Sequence, residues 1–98
     1  ANPQKKLLMD YTTKYQAKFN APVSTFGGHG WDSVSLLVKA MEMAKSDKPA
    51  AIRDALEKIT SYPGTAAIFS YSPTNHNGLS EDAFVMIKVE KGDWKILE

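Results

Sequence analysis

The sequence predicts an α/β chain in which three helices are followed by three strands, the last two joined as a terminal β-hairpin. Two observations carry that reading. Up to Thr60 the apolar residues recur at three- and four-residue intervals, which places them on one face of a helix. After Tyr62-Pro63-Gly64 the period changes, and β-branched and aromatic residues gather in short runs between clusters of turn formers.

The first helix enters at Asn2-Pro3, where Asn suits the N-cap and Pro the first helical position. Leu8, Tyr11, Tyr15 and Phe19 follow at helical spacing with Leu7 beside them, and Lys14 and Lys18 face the other way. Asn20-Ala21-Pro22 stops this helix, because proline disfavours helical geometry in the residue before it. Val23-Ser24-Thr25-Phe26 reads as a short extended link. The second helix is expected from about Gly30 to Ala44, with Trp31, Val34, Val38 and Met41 as its stripe, widened by Leu37 and Ala44. So broad an apolar face suits a helix packed on more than one side.

Ser46-Asp47-Lys48-Pro49 caps a third helix from Pro49 to about Thr60, with Ile52, Ala55, Leu56 and Ile59 inward. Arg53/Glu57 and Asp54/Lys58 are opposite charges four residues apart, which marks a wet outer face. Thr65 to Tyr71 reads as the first strand, and Ser72 to Gly78 as a turn-rich connection. The remaining strands are Ala83–Val89 and Trp94–Leu97, joined through Glu90-Lys91-Gly92-Asp93. Ala83, Val85, Ile87 and Val89 alternate with Phe84 and Met86, so the strand is expected to be apolar on both faces. These stripes and the two-faced strand ask for more partner surface than the chain offers, so the chain is expected to be incomplete and to dimerise in isolation.

Composition narrows the functional classes. The chain has 98 residues, 43% hydrophobic and 23% charged, as in an ordinary small globular domain. A net charge of +1 gives no reason to expect nucleic acid as a partner. With no cysteine, disulfides, thiolate nucleophiles and cysteine zinc sites are ruled out. The longest apolar run, Ala83-Phe84-Val85-Met86-Ile87, falls far short of the ~20 residues of a membrane span.

The candidate site is Phe26-Gly27-Gly28-His29-Gly30-Trp31-Asp32-Ser33. A glycine-rich turn opening a helix could offer free amides to a ligand, with Phe26 as an apolar wall and His29 as a donor. Gly27 and Gly28 would let backbone approach closely. The same residues also fit a plain tight connection, with Phe26 and Trp31 as packing. Asp32 and Ser33 suit the helix dipole in a first turn, and His76 falls in an exposed turn. His29 and His76 lack metal-ligand spacing with a carboxylate, so neither metal nor cofactor is expected. An oxyanion-type loop beside Asp32-Ser33 is a remote hydrolase reading. No nucleophile elbow accompanies it, and adjacent Asp and Ser cannot stand in for a triad.

Phe26 to Ser33 with Leu36-Leu37 and Ala40-Met41 resembles a segment of the branched-chain amino acid (Leu/Ile/Val-type) substrate-binding proteins of ABC transporters. Pro49 to Glu57 resembles that family's next helix. Pro63-Gly64-Thr65 with Phe69-Ser70 and His76-Asn77-Gly78-Leu79 resembles its return segment. Ala83 to Met86 and Gly92-Asp93-Trp94 resemble its terminal hairpin. The resemblance implies the C-terminal part of a type I periplasmic-binding fold, with two lobes around a ligand cleft. Residues 1–62 would be the helical part of the first lobe, and 63–98 the crossover and the strands given to the second. It further implies a non-enzymatic, extracytoplasmic solute-binding protein without a cofactor, whose partners are an amino acid or analogue and an ABC transporter permease. Phe26, Gly27, Gly28 and His29 would be its ligand-binding residues. A ligand-sensing domain of a receptor or regulator with the same fold is the alternative.

Overall fold

A computed structural model describes residues 2–97. Helix α1 spans Pro3–Phe19, α2 Thr25–Ala44 and α3 Pro49–Leu56. Four short strands follow: β1 (Tyr62–Pro63), β2 (Ile68–Phe69), β3 (Ile87–Glu90) and β4 (Asp93–Ile96), with a 3-10 turn at Glu81–Ala83. Each sheet has two strands, antiparallel β1–β2 and antiparallel β3–β4. The α/β class and the order of helices before strands hold.

The caps of α1 are local chemistry. The Asn2 side chain accepts from the Gln4 amide at 2.9 Å, Pro3 opens the helix, and Asn20 closes it in the left-handed region at φ 49°. Helix α2 begins five residues earlier than its sequence suggests, because Ser24 is the N-cap and accepts from the Gly27 amide. The glycine run therefore lies inside the helix, where each glycine costs about 0.5–1 kcal/mol relative to alanine. Close packing explains two of them. A Cβ on Gly27 would stand 2.6 Å from the Tyr11 hydroxyl, and one on Gly28 2.6 Å from Thr65 Oγ1. Helix α3 stops at Leu56, short of Thr60, and Lys48 precedes it without a side-chain cap bond.

The core joins Leu36 and Ala40 of α2 to Ala55, Ile59, Ala67 and Phe69, with Ile52, Tyr62 and Tyr71 packed around them. The inward face of α2 is Gly28, Asp32, Leu36 and Ala40. This differs from the expected stripe, since Val34, Leu37, Val38 and Met41 are exposed. One apolar side of the helix covers the core and the other is left open. Trp31, half-buried, packs its ring 5.3 Å from Tyr11, which continues to Tyr15 and Phe19 as an aromatic row.

The expected strand Thr65–Tyr71 is reduced to a two-residue β2, because Thr65 and Ala66 are drawn to Asp32 and cannot enter a ladder. The terminal hairpin forms, but its first strand starts at Ile87, four residues later than the expected Ala83, which lies in the 3-10 turn. Lys91 and Gly92 both have positive φ, 53° and 78°, as the tight two-residue turn of twisted strands demands. The register pairs Ile87 with Ile96, Lys88 with Lys95, Val89 with Trp94 and Glu90 with Asp93. Because side chains alternate, Ile87, Val89, Trp94 and Ile96 form one face and the four charged residues the other. The paired part of this strand is thus apolar on one face, where two were expected, and every residue of β3 and β4 is exposed.

Candidate functional site

At the N-terminus of α2, Ser24 Oγ takes the Gly27 amide and the Ser24 carbonyl takes that of Gly28. A helix's first amides have no partner within it, so those of Thr25 and Phe26 remain for whatever lies there. Phe26 is 84% exposed, which removes it from the core. His29 is exposed, and its carbonyl accepts a 2.7 Å bond from Ser33 Oγ. Gly27 and Gly28 turn inward, against Tyr11 and Thr65. The four residues singled out from the sequence therefore divide, with Phe26 and His29 outward and the two glycines packed against the chain. A hollow of about 230 Å³ opens beside this terminus, with Ser24, Thr25, Gly28, Tyr11 and Thr65 in its wall.

Asp32 is what sequence reasoning missed. It is 2% exposed, and its carboxylate accepts from the Thr65 amide at 2.6 Å, the Ala66 amide at 3.0 Å and Thr65 Oγ1 at 3.0 Å. Three donors satisfy a buried charge that would otherwise be expensive. The available signal was its position four residues after Gly28 and four before Leu36, on the inward face. Asp32 fixes the 65–66 loop against the start of α2, and Gln4 Nε2 ties α1 to the same loop through the Gly64 carbonyl at 3.1 Å.

A larger hollow, about 440 Å³, lies between α2, α3 and the 71–76 turn, floored by Leu36, Leu37, Leu56 and Tyr71. At its rim His76 Nε2 is 3.0 Å from Glu57 Oε1. Arg53, also at the rim, donates twice to Asp54 Oδ1, and this bonding and its charge, with Glu57 adding, hold the guanidinium above its ordinary pKa. Burial, then the charge of Asp32, pushes the Tyr71 phenol up. Its volume suits a small molecule. Of the expected site, Ser33 alone lines it, and Phe26 to His29 do not. Among the described residues no cluster of three or more His, Cys, Asp or Glu could hold a metal ion.

The family model described as "Periplasmic binding protein" matches residues 2–93, and the chain belongs to that family. An extracellular ligand-binding receptor from Rhodopseudomonas palustris HaA2 is similar at 26% identity and TM-score 0.71, over 88% of this chain and 26% of that one. A protein of Rhodopseudomonas palustris (strain CGA009) is similar at 25% identity and TM-score 0.77, over 97% of this chain and 29% of that one. A further extracellular ligand-binding receptor from Rhodopseudomonas palustris shares the fold at 22% identity and TM-score 0.73, over 92% of this chain and 27% of that one. No curated protein matches the chain. The chain thus spans between 26% and 29% of the length of these solved structures.

Proposed function

We propose that this chain is part of an extracytoplasmic solute-binding protein that captures amino acids or related small molecules for uptake through an ABC transporter permease. The observation that carries this is Phe26. In a family of ligand-binding proteins, a large aromatic stands 84% exposed at a helix N-terminus, beside two amides without helical partners. An apolar ring there is suited to wall a cleft closed by the opposite lobe, with His29 on the same outward side. Residues 1–62 serve as the helical part of the first lobe, and 63–98 carry the crossover and the second-lobe strands. The hairpin's lack of burial supports a crossover in the latter segment.

The protein acts by binding and performs no catalysis. Asp32 is fully engaged by the 65–66 loop, and Ser33 Oγ donates to the His29 carbonyl, so the adjacent pair has no nucleophilic geometry. The name "extracellular ligand-binding receptor" carried by the similar structure at 26% identity favours keeping the sensor reading beside the transport one. Both readings use the same cleft. A second copy of the chain is the remaining partner.

The test is Phe26→Ala in a protein carrying both lobes, titrated calorimetrically with aliphatic and aromatic amino acids. Affinity is expected to fall by about 1–3 kcal/mol, roughly tenfold to a hundredfold. Stability without ligand should change by under about 0.5 kcal/mol, as for an exposed residue. Unchanged affinity would remove Phe26 from the cleft.

A further inference from the structure

We infer that Thr65 is a positioning residue for ligand binding: wedged between Gly28 and Asp32, it sets the first turn of α2 and so the place of the Phe26 ring. This rests on the reading of Phe26 as a cleft wall and adds what holds that wall in place.

Gly28 and Asp32 lie four residues apart on the inward face of α2, one above the other. Thr65 Oγ1 meets both. It stands 2.6 Å from where a Cβ on Gly28 would be, and it donates to Asp32 Oδ2 at 3.0 Å. Asp32 is itself backed by the core, since a Cβ on Gly64 would stand 2.9 Å from its carboxylate and 2.5 Å from the Phe69 ring. From the side of α1, the Tyr11 hydroxyl stands 2.6 Å from the Cβ position of Gly27. Two side-chain oxygens, one from α1 and one from the 65–66 loop, thus clamp the two residues that follow Phe26.

This turn carries costs that stability alone gives no reason for. Glycine is a poor helix former, and two in succession weaken the start of α2. The Tyr11 hydroxyl is buried and has no hydrogen-bond partner among the described residues, which is a further cost. Local rules broken together in one turn mark a place where shape matters more than strength.

The helix geometry says what the shape serves. Phe26 lies two residues before Gly28, about 200° around the axis, so seating Gly28 inward turns the ring outward, where it is 84% exposed. Side chains reach about 5–6 Å from the axis, so a roll of about 10° carries the ring about 1 Å sideways. Binding groups have to be held to within about 0.5 Å, so a roll of that size spoils the contact. A side chain that fixes the roll therefore acts on affinity without touching the ligand.

Two measurements test this. In this chain, Thr65→Val keeps the bulk and removes the hydroxyl, and should shift the NMR signals of the Thr25 and Phe26 amides with helical circular dichroism unchanged. Thr65→Ser should restore them. In a protein carrying both lobes, calorimetry well below the melt should show Thr65→Val binding leucine and phenylalanine about fivefold more weakly, with Thr65→Ser within roughly twofold of wild type. The same substitution made beside Phe26→Ala should have no further effect, whereas a residue that acts only on the fold weakens binding equally in both backgrounds. Gly28→Ala crowds the same hydroxyl from the helix side, and should show the same shifts and the same dependence on Phe26. Unshifted amides, equal losses in both backgrounds, or full affinity in Thr65→Val beside a loss in Phe26→Ala each overturn the positioning role and leave Phe26 in the cleft. Full affinity in Phe26→Ala, or a wild type that binds neither amino acid, removes the cleft reading and this inference with it.

Discussion

Residues 3–71 and the terminal hairpin are both rich in apolar side chains, yet they meet water in opposite ways. In the helical part, Leu36, Ala40, Ala55, Ile59, Ala67 and Phe69 close on one another. In the hairpin, Ile87, Val89, Trp94 and Ile96 are sorted onto one face and left open. The difference lies in a tether, not in hydrophobicity. Asp32 reaches across to Thr65 and Ala66 and brings the β1–β2 loop back onto α2, whereas among the described residues no polar bond returns the hairpin to the body. A buried carboxylate with three donors thus holds the 65–66 loop on α2 beside the core.

The sharpest way to break this contrast is Asp32→Ala. It leaves the Thr65 and Ala66 amides and the Thr65 hydroxyl without their acceptor in a part-buried joint, a loss of roughly 1–3 kcal/mol. Denaturant melts followed by helical circular dichroism should show a loss of that size, while a loss below about 1 kcal/mol would deny the tether its role. Gly64→Ala attacks the same joint by crowding. Its Cβ would stand 2.5 Å from the Phe69 ring and 2.9 Å from the Asp32 carboxylate, and overpacking of this kind costs about 1–3 kcal/mol in the same melt. At the other extreme, Trp94→Ala in solution dilute enough to be monomeric should shift that melt by under about 0.5 kcal/mol. A larger effect would mean that the hairpin supports the helices after all.

The elements that were legible in the sequence are those decided within a few residues. Asn2-Pro3 and Asn20 set the ends of α1, and Lys91-Gly92 sets the hairpin turn, because caps and turns are local hydrogen-bond and dihedral chemistry. The start of α2 was not legible. Ser24 is a local cap, but the glycines behind it read as a turn, and the contacts with Tyr11 and Thr65 that require glycine there are not revealed by spacing. The same holds for Asp32, whose partners are 33 and 34 residues away. The outer stripe of α2 was correctly seen as apolar but assigned inward, since periodicity gives faces without saying which one meets the core. For the candidate site, the exposure of Phe26 agrees with a place at a surface, while the inward glycines could not be separated from it by sequence.

The turn at Lys91-Gly92 has a consequence in time. Hairpins closed by so short a loop form in about 1–10 μs, because little chain entropy is lost in bringing the strands together. The joint between Asp32 and Thr65 must close a loop more than thirty residues long before its hydrogen bonds are gained. Contacts of such separation slow folding, so the ribbon can assemble while the helical part is still searching. Early in folding the chain then presents, transiently, a marginally stable strip of isoleucine, valine and tryptophan with open strand edges. Chains meeting at that stage can add strand to strand, and the yield of refolding should fall as protein concentration rises.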